Sequence, residues 1–181
     1  MKSTMCLALV LTVVAGLLSG CATAPTSRTE QDTLLADAES TLKQMRADDP
    51  TLGDLLRRSY GSAVFPKVTK GGLVVGGASG QGVVYEQGRH IGYSSLSQGS
   101  VGLQAGAQTF SELIMFEDKG ALDRFKAGSL NFAADASAVI LQSGTATTAN
   151  FVDGVAVVVR PIGGAMVEAS IGGQQFAYQG R

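Results

Sequence analysis

The apolar positions of this chain follow three spacings in succession. Residues 5–18 form an apolar run of 14, too short to cross a bilayer as a helix. Between 30 and 59 the spacing becomes helical, with Leu34, Leu35, Ala38, Leu42 and Met45 on one stripe. Ser27 and Glu30 fit a capping box at its start, and Thr29 is a second candidate cap. Acidic residues lead this segment and Lys43 and Arg46 end it, as the helix dipole favours. Asp48-Asp49-Pro50 stops it and opens a second helix over about 51–59, with Asp49 as N-cap and Pro50 at N1. That helix turns Leu52, Leu55 and Leu56 inward and ends on Arg57-Arg58.

From 60 onward the apolar runs shorten and glycine separates them. Residues 61–116 hold 12 of the 24 glycines and five charged side chains. Runs such as Leu73-Val74-Val75, 82–85 and 113–116 predict strands. Glycine recurring inside strands predicts bends, bulges or close backbone approach. Over 100–108 a period of two puts Val101, Leu103, Ala105 and Ala107 on an apolar face, with Gly102 and Gly106 on the opposite one. Gln87-Gly88 predicts a hairpin turn. Asp118 caps a helix over 119–127, with Leu122 and Phe125 inward and Gly128 at C′. The runs at 138–141 and 155–159 read as strands buried on both faces. Strands at 165–171 and 175–178 are separated by Gly172-Gly173, a hairpin signal. The fold class is α+β, a mainly antiparallel, glycine-rich curved sheet or partial barrel with short flanking helices.

The N-terminal run changes the picture of where this domain works. Lys2 supplies a positive n-region, and 5–18 has the proportions of a signal-peptide core. The sequence Leu18-Ser19-Gly20-Cys21 resembles the bacterial lipobox. That resemblance implies cleavage before Cys21, diacylglycerol on its thiol and acylation (palmitate) of the new N-terminus. Several acyl chains give stable anchoring where one is marginal. Ala22 follows the cysteine, which by the bacterial sorting pattern points to an outer-membrane anchor facing the periplasm. The organisation expected is a signal peptide at 1–20, a small, polar tether at 21–29, helices at 30–59 and a β domain at 60–181.

Charge and residue inventory exclude several chemistries. Net charge is −1, and no basic arm or zinc-finger spacing marks a nucleic-acid binder. The other cysteine, Cys6, lies in the signal peptide, so the mature chain keeps no thiol for catalysis. The single histidine, His90, reads as an exposed residue beside the Gln87-Gly88 turn. The glycines at 76–82 are followed by a strand and lack the Lys-Ser/Thr of a phosphate loop. Glu112, Glu117, Asp118, Asp123, Asp135, Asp153 and Glu168 are scattered, and nothing positively supports a glycosidase pair. No metal site, cofactor or catalytic residue is assigned. One constellation remains: between Asp54 and Glu86 every charge is positive (Arg57, Arg58, Lys67 and Lys70), with Tyr60 and Phe65 interleaved. Such a segment suits an anionic lipid surface, at roughly 1 kcal/mol per basic residue. It is matched by a plainer reading, a solvated loop after two helix-terminal arginines.

The run 63–72 (AVFPKVTKGG), followed by Val75-Gly76-Gly77 and Gly80-Gln81-Gly82, resembles the opening motif of the SYLF domain. Gly92-Tyr93, the stretch 102–108, the run 113–116 and 121–125 continue the match in order. The resemblance covers about 59 to 181 and is to bacterial members, many of them lipoproteins. It implies a lipid-binding module. Eukaryotic relatives bind phosphoinositides and actin, and only lipid association carries over to a periplasmic chain. The expectation is a non-enzymatic, membrane-anchored envelope lipoprotein. Its partner would be membrane phospholipid, bound through Arg57, Arg58, Lys67 and Lys70. The alternative is a structural lipoprotein docking another envelope protein, and a hydrolase stands third.

Overall fold

The computed structural model describes residues 24–130, 138–140 and 151–181, and only the backbone for 103–104, 138–140 and 165–172. Cys21, the apolar run at 5–18 and Asp135 lie outside the described residues. The elements in order are α1 (Arg28–Asp48), α2 (Leu52–Arg58), β1 (Gly61–Gly72), β2 (Val75–Glu86), β3 (Arg89–Phe116), α3 (Lys119–Lys126), β4 (Ala138–Ile140) and β5 (Val155–Gly180). The class is α+β, and the sheet is not closed into a barrel.

Local signals set the helix ends. Ser27 Oγ accepts from Glu30 N at 3.2 Å while Glu30 Oε2 accepts from Ser27 N at 3.1 Å, a complete capping box. The backbone N–H groups of Ser27 and Thr26 hold the Glu30 carboxyl below its ordinary range. Asp118 caps α3 through Ala121 N at 2.8 Å, and Gly128 follows at φ +68. The α1–α2 junction differs from expectation. Asp49 is the buried C-cap of α1, and its carboxylate accepts from Thr51 N and Thr51 Oγ1. Helix α2 therefore begins at Leu52, two residues later than an Asp49 N-cap requires.

The sheet has the order β1-β2-β3-β5-β4, with β1 also paired to β3. Strand β3 is long enough to serve two neighbours on one edge. Its first part pairs with β2 (Val75↔Val101 to Glu86↔Arg89) and its last part with β1 (Gly72↔Gly106 to Gly61↔Phe116). Along its other edge β5 pairs antiparallel from Gly92↔Gly180 to Phe116↔Val155. There is no hairpin at Gly172-Gly173, since β5 runs through both glycines while paired to Ser100 and Gly99. β4 lies parallel to β5 beyond it.

Successive strand residues face opposite sides, and here both sides are covered. Val64, Val83, Leu113, Met115, Ala156 and Val158 pack with Ala38, Met45, Leu52 and Leu55 of α1 and α2. Ala63, Phe65, Ile114, Phe116, Val155 and Val157 pack with Ala121, Leu122 and Phe125 of α3. The expected two-sided burial of 155–158 follows from this arrangement. On the α3 side the Phe65 and Phe176 rings lie 5.7 Å apart, and Phe125 and Phe176 5.0 Å apart. Burying one such ring stabilises by about 1.5–3 kcal/mol.

Three further expectations are corrected. The face of 100–108 holding Val101, Ala105 and Ala107 is exposed, whereas Ser100 is buried. Leu73-Val74 is the exposed end of the β1–β2 hairpin, with Val75 opening β2. His90 is half-buried, its ring 4.8 Å from that of Tyr93, and burial lowers its pKa. The Gln87-Gly88 turn is as expected, with φ +49 and +76.

Candidate functional site

The four candidate cations attach to two separate places. Arg57 and Arg58 end α2, where their charge complements the helix C-terminus. The backbone then turns into β1 through Ser59 and Tyr60. Ser59 Oγ donates to Leu55 O at 2.8 Å, and Tyr60 is clamped by its N–H donating to Phe116 O and its carbonyl accepting from Gln87 N. These bonds set the end of α2 against the β2–β3 turn. Between them opens a groove of about 520 Å³ lined by Leu56, Arg57, Arg58, Tyr60, Gln87 and Glu117. A smaller recess of about 200 Å³ adjoins it under α1, lined by Glu39, Leu42, Arg46, Tyr60 and Tyr85 among others.

The groove is cationic at its mouth but neutralised in part. Arg57 is ion-paired with Asp54. Arg58 and Arg46 have no ion-pair partner among the described residues. Tyr60 Oη donates to Glu86 Oε1 at 2.8 Å, which raises the phenol pKa. Burial, and after it the charge of Glu39, push Tyr85 up to about 12. Both phenols therefore stay protonated near neutrality. The single O–H of Tyr60 is already donated to Glu86, so the donors left for an anionic oxygen are the Arg58 and Arg46 guanidiniums and the Tyr85 phenol. Arg46 joins this site although sequence spacing placed it only at a helix end. Its signal was the spacing to Leu42, which puts both on neighbouring positions of one helix face.

Lys67 and Lys70 are elsewhere, and they are not flanks of a loop. Both lie within β1, paired at Lys67↔Gln81 and Lys70↔Ala78. They stand six and nine residues past Gly61, so about 20 and 30 Å along the strand. Three residues separate them in regular register, so their side chains point to opposite faces of the sheet. Lys67 is exposed; Lys70 is half-buried and takes part in an interaction within the chain. The structure thus places Arg57 and Arg58 in the groove and Arg46 in the recess that adjoins it, and separates both lysines from them.

Glu112 was passed over as one of several scattered acids. It is fully buried beside the β1 irregularity at Pro66, where Ser111 Oγ donates to Pro66 O at 2.8 Å. Its Oε2 accepts from Gln174 Nε2 at 3.2 Å, and its Oε1 has no partner. Burial raises its pKa to about 7, against the opposing effect of the Gln174 bond. Among the described residues no group of His, Cys, Asp and Glu could hold a metal ion, and no helix is long and apolar enough to cross a membrane. No protein-family model matches the chain, and no curated protein matches it.

Proposed function

We propose that this chain is a non-enzymatic, lipid-anchored envelope protein of the outer membrane, facing the periplasm, whose domain binds anionic phospholipid head groups. The observation that carries the reading is the pair of adjoining cavities, where Arg58 lines the groove and Arg46 lines the recess with the protonated phenol of Tyr85, neither arginine having an ion-pair partner among the described residues. Arginine suits a phosphate there because its planar fork presents several donors at once. The SYLF resemblance of 63–82 points to the same ligand class, and the lipobox-like run ending at Cys21 supports a membrane location. The scaffold in this reading is a curved sheet. Phe176 reaches Phe65 within 5.7 Å although the pairings Phe176↔Leu96, Leu96↔Gly80 and Gly80↔Val68 put three strand spacings between their strands. In a flat sheet that separation would be about 14 Å.

The test uses the chain lacking residues 1–21, because an acyl anchor would dominate partitioning. Sedimentation with phosphatidylglycerol vesicles should exceed that with phosphatidylcholine vesicles and should fall as salt rises. Equal, salt-independent binding to both would remove the head-group reading. Docking of another envelope protein would then lead, since Val101, Ala105 and Ala107 form an exposed, uncharged row on β3.

A further inference from the structure

The end of the β1–β2 hairpin presents apolar side chains to solvent at a place where a soluble hairpin normally carries polar ones. Leu73, Val74 and Val75 are 71%, 64% and 70% exposed, and Val101, the cross-strand partner of Val75, is 65% exposed. Contiguous exposed apolar groups of this kind mark a contact surface. Ile162, also exposed, sits at the β5 irregularity beside Phe110 and belongs to a different place.

The surroundings of the hairpin end favour lipid over protein. No formally charged residue occurs in 71–85 or in 91–111, the two stretches that build it. Part of the backbone there is already paired: Leu73 N donates to Val75 O at 3.3 Å and Gly102 N donates to Val74 O at 3.0 Å. A chain that leaves water must have these groups paired, because hydrocarbon offers no substitute. The first charges back along β1 are Lys70 and Lys67, three and six residues before Leu73, so about 10 and 20 Å away. Glu168 is the acid nearest in the pairing, opposite Gln104, and its side chain is outside the described residues.

We propose that this hairpin end enters the interfacial layer of a phospholipid bilayer, with Lys70 at head-group level and Lys67 just above it. Apolar groups at such a boundary settle about 5–10 Å deep, which matches the offset between Leu73 and Lys70. Lys67 then lies within about a Debye length of the anionic surface. The proposal rests on the lipid-binding reading above but concerns a different part of the molecule from the arginine groove.

The chain contains no tryptophan, so one introduced residue reports alone. Leu73→Trp, Val74→Trp and, as a control beyond the opposite end of the sheet, Val152→Trp are placed in the full chain reconstituted in vesicles. The vesicles are phosphatidylglycerol or phosphatidylcholine with brominated acyl chains. The tryptophans at 73 and 74 should be quenched several-fold more strongly than the one at 152. Equal quenching at all three positions, or none at 73 and 74, overturns insertion. So does shielding of 73 from aqueous iodide before vesicles are added, which would show that a second copy or another segment of this chain covers the hairpin end. Quenching at 73 and 74 that is equal in neutral and anionic vesicles supports insertion and counts against the head-group reading. Absent quenching alongside salt-dependent sedimentation of the chain lacking 1–21 sinks insertion and keeps that reading.

Discussion

Glu112 and Gln174 meet side chain to side chain on the α3 face of the sheet, 62 residues apart in sequence, with Gln174 donating at 3.2 Å. One lies in the part of β3 paired to β1, the other in the part of β5 paired to Gln98. The bond therefore joins two distant strands of the sheet through a carboxyl that burial keeps neutral up to about pH 7.

Stability should depend on this proton. The folded-state pKa lies above the ordinary value of 4.5, so the unfolded chain binds fewer protons between about pH 4.5 and 7, and stability falls as pH rises through that window. The contribution is fully present below pH 4.5 and is lost above 7, with a span on the order of 3 kcal/mol. Urea unfolding of the native chain and of Glu112→Gln across this range should give curves that diverge by that order. A constant difference between them would show that Glu112 does not titrate there.

The glycines divide by what a methyl group would meet. A Cβ on Gly82 would lie 2.7 Å from Phe65 Cδ1 and 2.8 Å from Val64 O, and neither can yield because Phe65 is fully buried against Phe176. Gly99 has nothing within 4 Å. Gly82→Ala should therefore destabilise by ~1–3 kcal/mol and Gly99→Ala by much less, read as melting temperatures. Gly106→Val should be costly for another reason. Gly106 has φ +124 and Gly102 φ +150, a region that costs a side-chain-bearing residue ~1–3 kcal/mol. Comparable melting points for the Gly82 and Gly99 variants would contradict this account.

The two cation pairs should behave differently on vesicles. Arg57→Glu with Arg58→Glu should weaken binding of the chain lacking 1–21 to phosphatidylglycerol at every salt concentration where binding is measurable. Lys67→Glu and Lys70→Glu should act unequally, with the larger loss at Lys70, because the inserted hairpin end would hold Lys70 at head-group level and Lys67 about 10 Å farther out on the opposite face. Single reversals separate them. Equal effects of Lys67→Glu and Lys70→Glu would conflict with that geometry.

Cys21→Ser should release the chain from the membrane fraction and remove the mass of the acyl chains. An unchanged mass and an unchanged fractionation would show that Cys21 carries no lipid.

What the sequence made legible was mostly local. The Ser27–Glu30 box, the Asp118 cap and the Gln87-Gly88 turn each depend on residues within four positions, and each is present. What it hid depends on distant partners. Period two finds two faces over 100–108 but does not say which is inside, and close packing buried Ser100 in preference to Val101. Gly172-Gly173 looked like a turn because a glycine doublet is the same whether a chain reverses or a strand passes close to its neighbour. The opposite facing of Lys67 and Lys70 was available from their odd spacing, once both were known to lie in one strand. Glu112 shares its parity with Phe110, Ile114 and Phe116 and directly precedes the run 113–116 read as a strand. An acid at that parity was the available signal. The groove and its adjoining recess were not legible, because their linings come from α1, α2 and the β2–β3 turn and form only when the helices pack on the sheet.

The sharing of β3 between two neighbours on one edge also governs how the domain can assemble. β1, β2 and β3 follow one another closely and can pair as soon as they are made. The opposite edge of β3 waits for β5, about 40 residues beyond Phe116 at the near end and about 90 beyond Gly92 at the far end. Closing so long a loop is slow. In the interval β3 offers a row of open backbone donors and acceptors to any other extended chain. Few charges guard that row, since none occurs in 91–111. Such an intermediate is prone to pairing with copies of itself. Any chain built this way gains from a chaperone that covers the open edge of β3 until β5 has closed the sheet.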